Sequence, residues 1–267
     1  MSFLTKFFSG IRQRKQVRRY ESGLHGARKA YLLDQDTPFA ITEAFRNLKA
    51  TLSVSVPRKE NGEGISLLMT STFPEEGKTT VTVNLALMFA ISNVRVALVD
   101  ADIRKGRICK YFKQKAEPGL SDYLSGQAKY EDIIRSTEQN KNLFVICSGT
   151  QSPRPYELLE SDAMKELSDR LKKEFDYIIY DTPPIKLVSD ALAVLPVTDG
   201  TVLITRYMQS YESDIKSSLD SIRFAKGNVL GMIVNDYYVP PKKMKKNQSH
   251  YYAYYASEGE NTPRITD

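Results

Sequence analysis

The segment 65–80 constrains the fold more than any other. An apolar run, Ile65–Thr70, breaks into a polar turn that ends Gly77-Lys78-Thr79-Thr80. A helical pattern over 78–92 follows at once. A turn that delivers a strand into a helix gathers backbone N–H groups at the helix N-terminus, where an anion is bound well. Gly77 lets the backbone approach phosphate closely. Lys78 adds a point charge, and the Thr79 hydroxyl can ligate Mg²⁺. The first glycine of the usual G-x-x-x-x-G-K-[ST] spacing is Thr72 here. Gly-Lys-Thr alone would equally suit a solvated turn; the flanking strand and helix favour a nucleotide phosphate site.

The same alternation continues along the chain. Apolar, β-branched runs at 94–99, 143–147, 177–180, 201–205 and 229–234 are separated by helical patterns, the clearest over 156–173. Such runs predict strands buried on both faces. The fold class is therefore α/β, a mostly parallel, doubly wound sheet. Ligands of such sheets sit at the carboxyl ends of the strands. There the chain places acids: Val-Ala-Leu-Val-Asp100-Ala-Asp102-Ile-Arg104 and Tyr-Ile-Ile-Tyr-Asp181-Thr-Pro-Pro. Carboxylates beside a phosphate loop suit Mg²⁺ and a transferring phosphoryl group. One can hold the metal, directly or through water, and another can accept a proton from an attacking hydroxyl.

Charge divides the chain into three zones. Residues 1–29 carry eight Lys/Arg against one acid, Glu21, although the whole chain is only +6. The body is thus near neutral, which argues against a nucleic-acid partner and for a local contact made by the leader. We expect a basic segment over 1–30, a catalytic domain over 31–236 and a flexible tyrosine-rich tail over 237–267. Cys109 and Cys147 have no metal-ligand spacing and fit a reducing cytoplasm. The longest apolar run, Leu85–Ile91, is far short of a bilayer span, and no signal peptide is evident.

Taken together, Pro74-Glu-Glu-Gly-Lys-Thr-Thr80, Asp100-Ala-Asp-Ile-Arg104 and Asp181-Thr-Pro-Pro184 resemble the bacterial tyrosine kinases of capsule and exopolysaccharide systems. The resemblance covers about residues 31–255. Gly119–Gly126 and Pro153–Leu159 agree with it, with Arg154 standing where the family usually has Asn. It implies a P-loop NTPase fold and ATP with Mg²⁺ as cofactors. Glu76, Gly77, Lys78, Thr79 and Thr80 would cradle the nucleotide, with Asn235 near adenine. Thr79, Asp102 and Asp181 would serve the metal. Lys78, Asp100, Asp102 and Arg104 would form the catalytic set, Asp100 being the base for the tyrosine hydroxyl. The rival reading is a non-kinase P-loop ATPase that switches between oligomers. Partition ATPases of that kind carry a lysine where this chain has Phe73.

The resemblance also implies partners. Tyr251, Tyr252, Tyr254 and Tyr255 match the family's tyrosine cluster and would be the phosphoacceptors, modified in trans. Folding of these tyrosines against the domain is the alternative. Glu43, Arg46 and Lys49 fall on one stripe of a predicted helix, where a solvated face with internal pairs would give the same spacing. They match an E-x-x-R-x-x-R motif that closes an octameric ring. Lys49 replaces the last arginine and cannot give its planar two-pronged grip. A membrane-embedded activator (a polysaccharide copolymerase) and a cognate tyrosine phosphatase complete the expected set, with the chain peripheral at the inner face of the membrane. In residues 1–19, Phe3, Leu4, Phe7, Phe8 and Ile11 recur at helical spacing among six cations. A helix on an anionic membrane, a disordered leader and a docking segment all remain open.

Overall fold

A computed structural model describes residues 32–34, 37–57 and 62–237. The chain divides into two units after Asn235, and the first holds the sheet. Tyr251, Tyr252, Tyr254, Tyr255 and the leader 1–19 lie outside the described residues. Seven strands form one sheet: β1 Ile65–Ser71, β2 Val96–Asp100, β3 Ile134–Ser136, β4 Leu143–Ile146, β5 Tyr177–Asp181, β6 Gly200–Arg206 and β7 Val229–Asn235. Their spatial order is β3-β4-β2-β5-β1-β6-β7. Every pairing is parallel except β3 with β4. The described helices are α1 Phe39–Ser55, α2 Lys78–Ile91, α3 Ile108–Tyr111, α4 Leu120–Leu124, α5 Tyr130–Ile133, α6 Pro155–Glu160, α7 Asp162–Glu174, α8 Asp190–Val194 and α9 Glu212–Phe224.

Alternation along the strands splits the core in two, because successive side chains point to opposite faces. Leu67, Met69, Val96, Leu98 and Ile179 join Val83, Leu85 and Phe89 of α2 on one face. Leu68, Ala97, Val99, Ile178 and Tyr180 join Leu120, Leu159, Leu167 and Ile222 on the other. The central strands are therefore apolar throughout, and α2 is buried almost all round. Truncating one of these side chains to alanine costs about 2–5 kcal/mol by the usual transfer and cavity terms.

Three local features depart from expectation. The helical stretch 156–173 is two helices: Ser161 accepts a hydrogen bond from the Met164 N–H and starts α7 afresh. The strand β3 and the helix α9 add elements that apolar runs alone do not mark. The second strand begins at Val96 rather than 94 and extends through Asp100. Among the described residues, no helix is long and apolar enough to cross a membrane.

Candidate active site

The phosphate loop runs from β1 to α2. Gly77 has φ +81°, and a Cβ there would come within 2.0 Å of Asn235 Nδ2, so only glycine fits. The Asn235 amide donates to the Glu76 carbonyl at 2.9 Å and braces the loop from the end of β7. The Glu76 side chain turns into the body. Its Oε2 accepts from the Phe73 N–H (2.7 Å). Its Oε1 accepts from the hydroxyls of Thr205 (2.9 Å) and Ser210 and from the Arg206 N–H (3.3 Å). A fully buried carboxylate thus ties the loop to the end of β6 and the residues after it. The Thr72 hydroxyl is buried and has no hydrogen-bond partner among the described residues.

Lys78, Thr79 and Asp181 converge. The Lys78 ammonium donates to Asp181 Oδ1 at 2.7 Å, and the Thr79 hydroxyl donates to Oδ2 at 2.7 Å. The Thr82 hydroxyl adds a third donor to Oδ1 at 3.1 Å. Thr82 lies one helical turn beyond Lys78, so the i,i+4 spacing already placed it on that face. The Thr80 hydroxyl pairs instead with the Tyr111 hydroxyl at 2.7 Å.

Asp100 and Asp181 are direct register partners on neighbouring strands β2 and β5. Asp100 is wholly buried. Its Oδ2 accepts from the Ile108 N–H at 2.9 Å, and its Oδ1 has no hydrogen-bond partner among the described residues. Desolvation by burial, then the nearby charge of Asp181, pushes its pKa up to about 7. Asp102 is half-buried, accepts from the Lys105 N–H at 3.0 Å, and is likewise raised, chiefly by desolvation. Gly106 packs so closely that a Cβ would lie 2.1 Å from Ser148 Oγ and 2.9 Å from Asp100 Oδ2.

Arg104 pairs with an acid outside the phosphate loop. It grips Asp190, which is fully buried at the start of α8, with two bonds of 2.7 and 3.0 Å. That clamp, together with the Glu76 tie and Thr82, was not foreseen from sequence; the partners of the clamp and the tie are separated by up to 134 residues, and no local pattern joins them. Glu43, mostly buried, and Arg46 pair with each other within α1, and Lys49 is partly exposed on the same helix.

Thr79 and Asp181 meet in a hydrogen bond, and the charges of Lys78 and Asp181 both reach Asp102, although the described residues form no cluster of three or more metal-ligating His, Cys, Asp or Glu side chains. Hard oxygen donors of this kind fit Mg²⁺. That ion needs only one or two carboxylates when phosphates complete its shell, so no closed protein cage is required.

Comparison with known proteins agrees with this geometry. A family described as AAA domain matches residues 76–223. A Bacillus subtilis (strain 168) relative, tyrosine-protein kinase YwqD, is 33% identical over 218 residues, covering 81% of this chain and 87% of the relative. The tyrosine-protein kinase ptk of Acinetobacter johnsonii is 33% identical over 73% of this chain, which spans 26% of that longer protein. Among solved structures, the kinase domain of the Escherichia coli tyrosine kinase ETK superposes with a TM-score of 0.70 at 28% identity, covering 81% of this chain and 86% of that one. A phosphate loop flanked by strand-end acids, on a chain with these relatives, belongs to the bacterial tyrosine kinases of capsule and exopolysaccharide type.

Proposed function

We propose that this protein is an ATP- and Mg²⁺-dependent tyrosine autokinase that phosphorylates the tail tyrosines of another copy and so regulates capsular or exopolysaccharide synthesis and export. One observation carries the reading. Asp100 is a buried carboxyl held near neutrality, with one oxygen unpartnered, directly across the strand pair from the Lys78–Asp181 contact. A general base works best when its pKa lies near the operating pH.

In this reading Asp100 accepts the proton of the acceptor tyrosine as its oxygen attacks the γ-phosphorus, and the bond from that phosphorus to the ADP oxygen breaks. Lys78 leaves Asp181 to neutralise the β- and γ-phosphate oxygens. The loop N–H groups around Gly77 orient the phosphates, and Asn235 sits at the edge where the base would lie. Thr79, Asp102 and Asp181 would hold Mg²⁺, which supplies charge neutralisation on those oxygens when bound. Arg104 keeps the Asp100–Asp102 segment in place through Asp190.

The assembly belongs to the same proposal. Glu43, Arg46 and Lys49 would contact a neighbour in an octameric ring, which brings one tail to the next active site. A membrane-embedded activator would stimulate the kinase, a cognate phosphatase would reset it, and the basic leader would keep the chain at the inner membrane face.

The test mixes two full-length chains of different size, an intact kinase and a Lys78→Met acceptor, with ATP, Mg²⁺ and the activator. Mass spectrometry should find phosphotyrosine at Tyr251–Tyr255 of the Lys78→Met chain, and none when that chain is alone. Phosphate confined to the intact chain would refute transfer in trans, and none on either chain would refute the kinase reading.

A further inference from the structure

A second cleft of about 470 Å³ opens beside Asp100. Its lining includes Arg104, Lys105, Gly106, Arg107, Lys110 and Ser148. No residue of the phosphate loop lines it. Gly106 links it to Asp100, since a Cβ there would lie 2.9 Å from Asp100 Oδ2 and 2.1 Å from Ser148 Oγ. Arg107 immediately precedes Ile108, whose N–H binds Asp100 Oδ2. The cations therefore begin one residue away from the group that holds the base.

Arg104 is committed to Asp190. Lys105, Arg107 and Lys110 are exposed, and none has an ion-pair partner among the described residues. One acid, Glu117, shares the lining. Three uncommitted cations at the mouth of a kinase centre suit an anionic peptide better than they suit the neutral phenol of a tyrosine.

The chain's own acceptor segment has the complementary charge on one side only. Lys242, Lys243, Lys245 and Lys246 precede the tyrosine cluster, whereas Glu258 and Glu260 follow it. Glu258 lies three residues beyond Tyr255, about 10 Å in an extended chain. We propose that the cleft is an acceptor-docking site. On this proposal Lys105, Arg107 and Lys110 receive Glu258 and Glu260 of a second copy and thereby present the tyrosine cluster to Asp100. The lysine-rich side of the segment then points away from the cleft. The inference rests on the autokinase reading and adds what selects and orients the acceptor.

Charge exchange tests it in the full-length protein. The acceptor is a Lys78→Met chain, with or without Glu258→Lys/Glu260→Lys. The kinase carries Phe at its own four tail tyrosines, with or without Lys105→Glu/Arg107→Glu/Lys110→Glu. Either reversal alone should lower the initial rate of acceptor phosphorylation about fivefold or more, by raising the KM for acceptor while leaving the KM for ATP unchanged. Combining the two should restore the rate to within about twofold, the signature of direct coupling between the two sets. Unchanged rates with either single reversal, or a loss that the combination does not restore, overturns docking even though phosphotyrosine still forms. Absence of phosphotyrosine with the unreversed pair would instead refute the kinase reading beneath it.

Discussion

Asp100, buried at the carboxyl end of β2, has one oxygen satisfied and the other without a hydrogen-bond partner among the described residues. The unfolded chain releases this proton near the ordinary 3.8, the folded chain near 7. Between those values the native state holds more protons than the unfolded state, so stability falls as pH rises. Asp100→Asn removes that penalty. The variant should melt about 2–4 °C higher than the parent at pH 8 without nucleotide or metal, with the gap closing toward pH 4. Its phosphotyrosine yield should fall about 10²-fold or more, since proton transfer is lost. Calorimetry across pH with a parallel kinase assay checks both; an unchanged or lower melting point at pH 8 would count against a desolvated carboxylate.

At the level of the element, the phosphate loop takes its shape from a strand it precedes by well over a hundred residues. Glu76 accepts from Phe73 in the loop, from Thr205 and Arg206 at the end of β6 and from Ser210 just beyond it. A glutamine at that position would present an NH₂ group to one of these donors. Glu76→Gln should therefore cost about 1–3 kcal/mol, read as a lower urea midpoint, and weaken nucleotide binding as the loop loosens. The tie also shows what could be read in advance. Strands β1, β2 and β5 were legible because both faces are buried: β2 and β5 are apolar runs that end at acids, and β1 is a mainly apolar run that ends at the phosphate loop. β3 was not, because Ile134-Arg135-Ser136 is short and partly exposed at the sheet edge, where pairing rather than patterning makes it a strand. The sequence marks Glu76 as a loop residue that would cradle the nucleotide, whereas its side chain is taken up by Phe73 and by Thr205, Arg206 and Ser210 from another part of the chain. The Arg104–Asp190 clamp escaped for the same reason.

For the molecule as a whole, the near-neutral folded body and the basic leader predict separable behaviour. A membrane contact made by residues 1–19 would be electrostatic first and screened within about 10 Å at 0.1 M salt. The full chain should co-sediment with phosphatidylserine-containing vesicles at low salt and less so as salt rises. Deleting residues 2–19 should abolish co-sedimentation without changing the kinase rate in solution. Retention by the deleted chain would move the contact to another surface.

The alignment of Asp100 with Asp181 has one more implication. A one-residue slip of β2 would replace Asp100 by Val99 or Ala101 at that position, yet β2 is apolar on both sides, so its burial pattern opposes such a slip only weakly. A polar peg at the opposite rim opposes it instead. The Arg95 N–H donates to Asp176 Oδ2 at 2.8 Å, and the Arg95 carbonyl accepts from the N–H groups of Asp176 (2.9 Å) and Tyr177 (3.2 Å). Five residues at strand spacing put that peg about 16 Å from the chemistry. The aim of the base is thus set at the far side of the sheet, in a turn that never meets a phosphate.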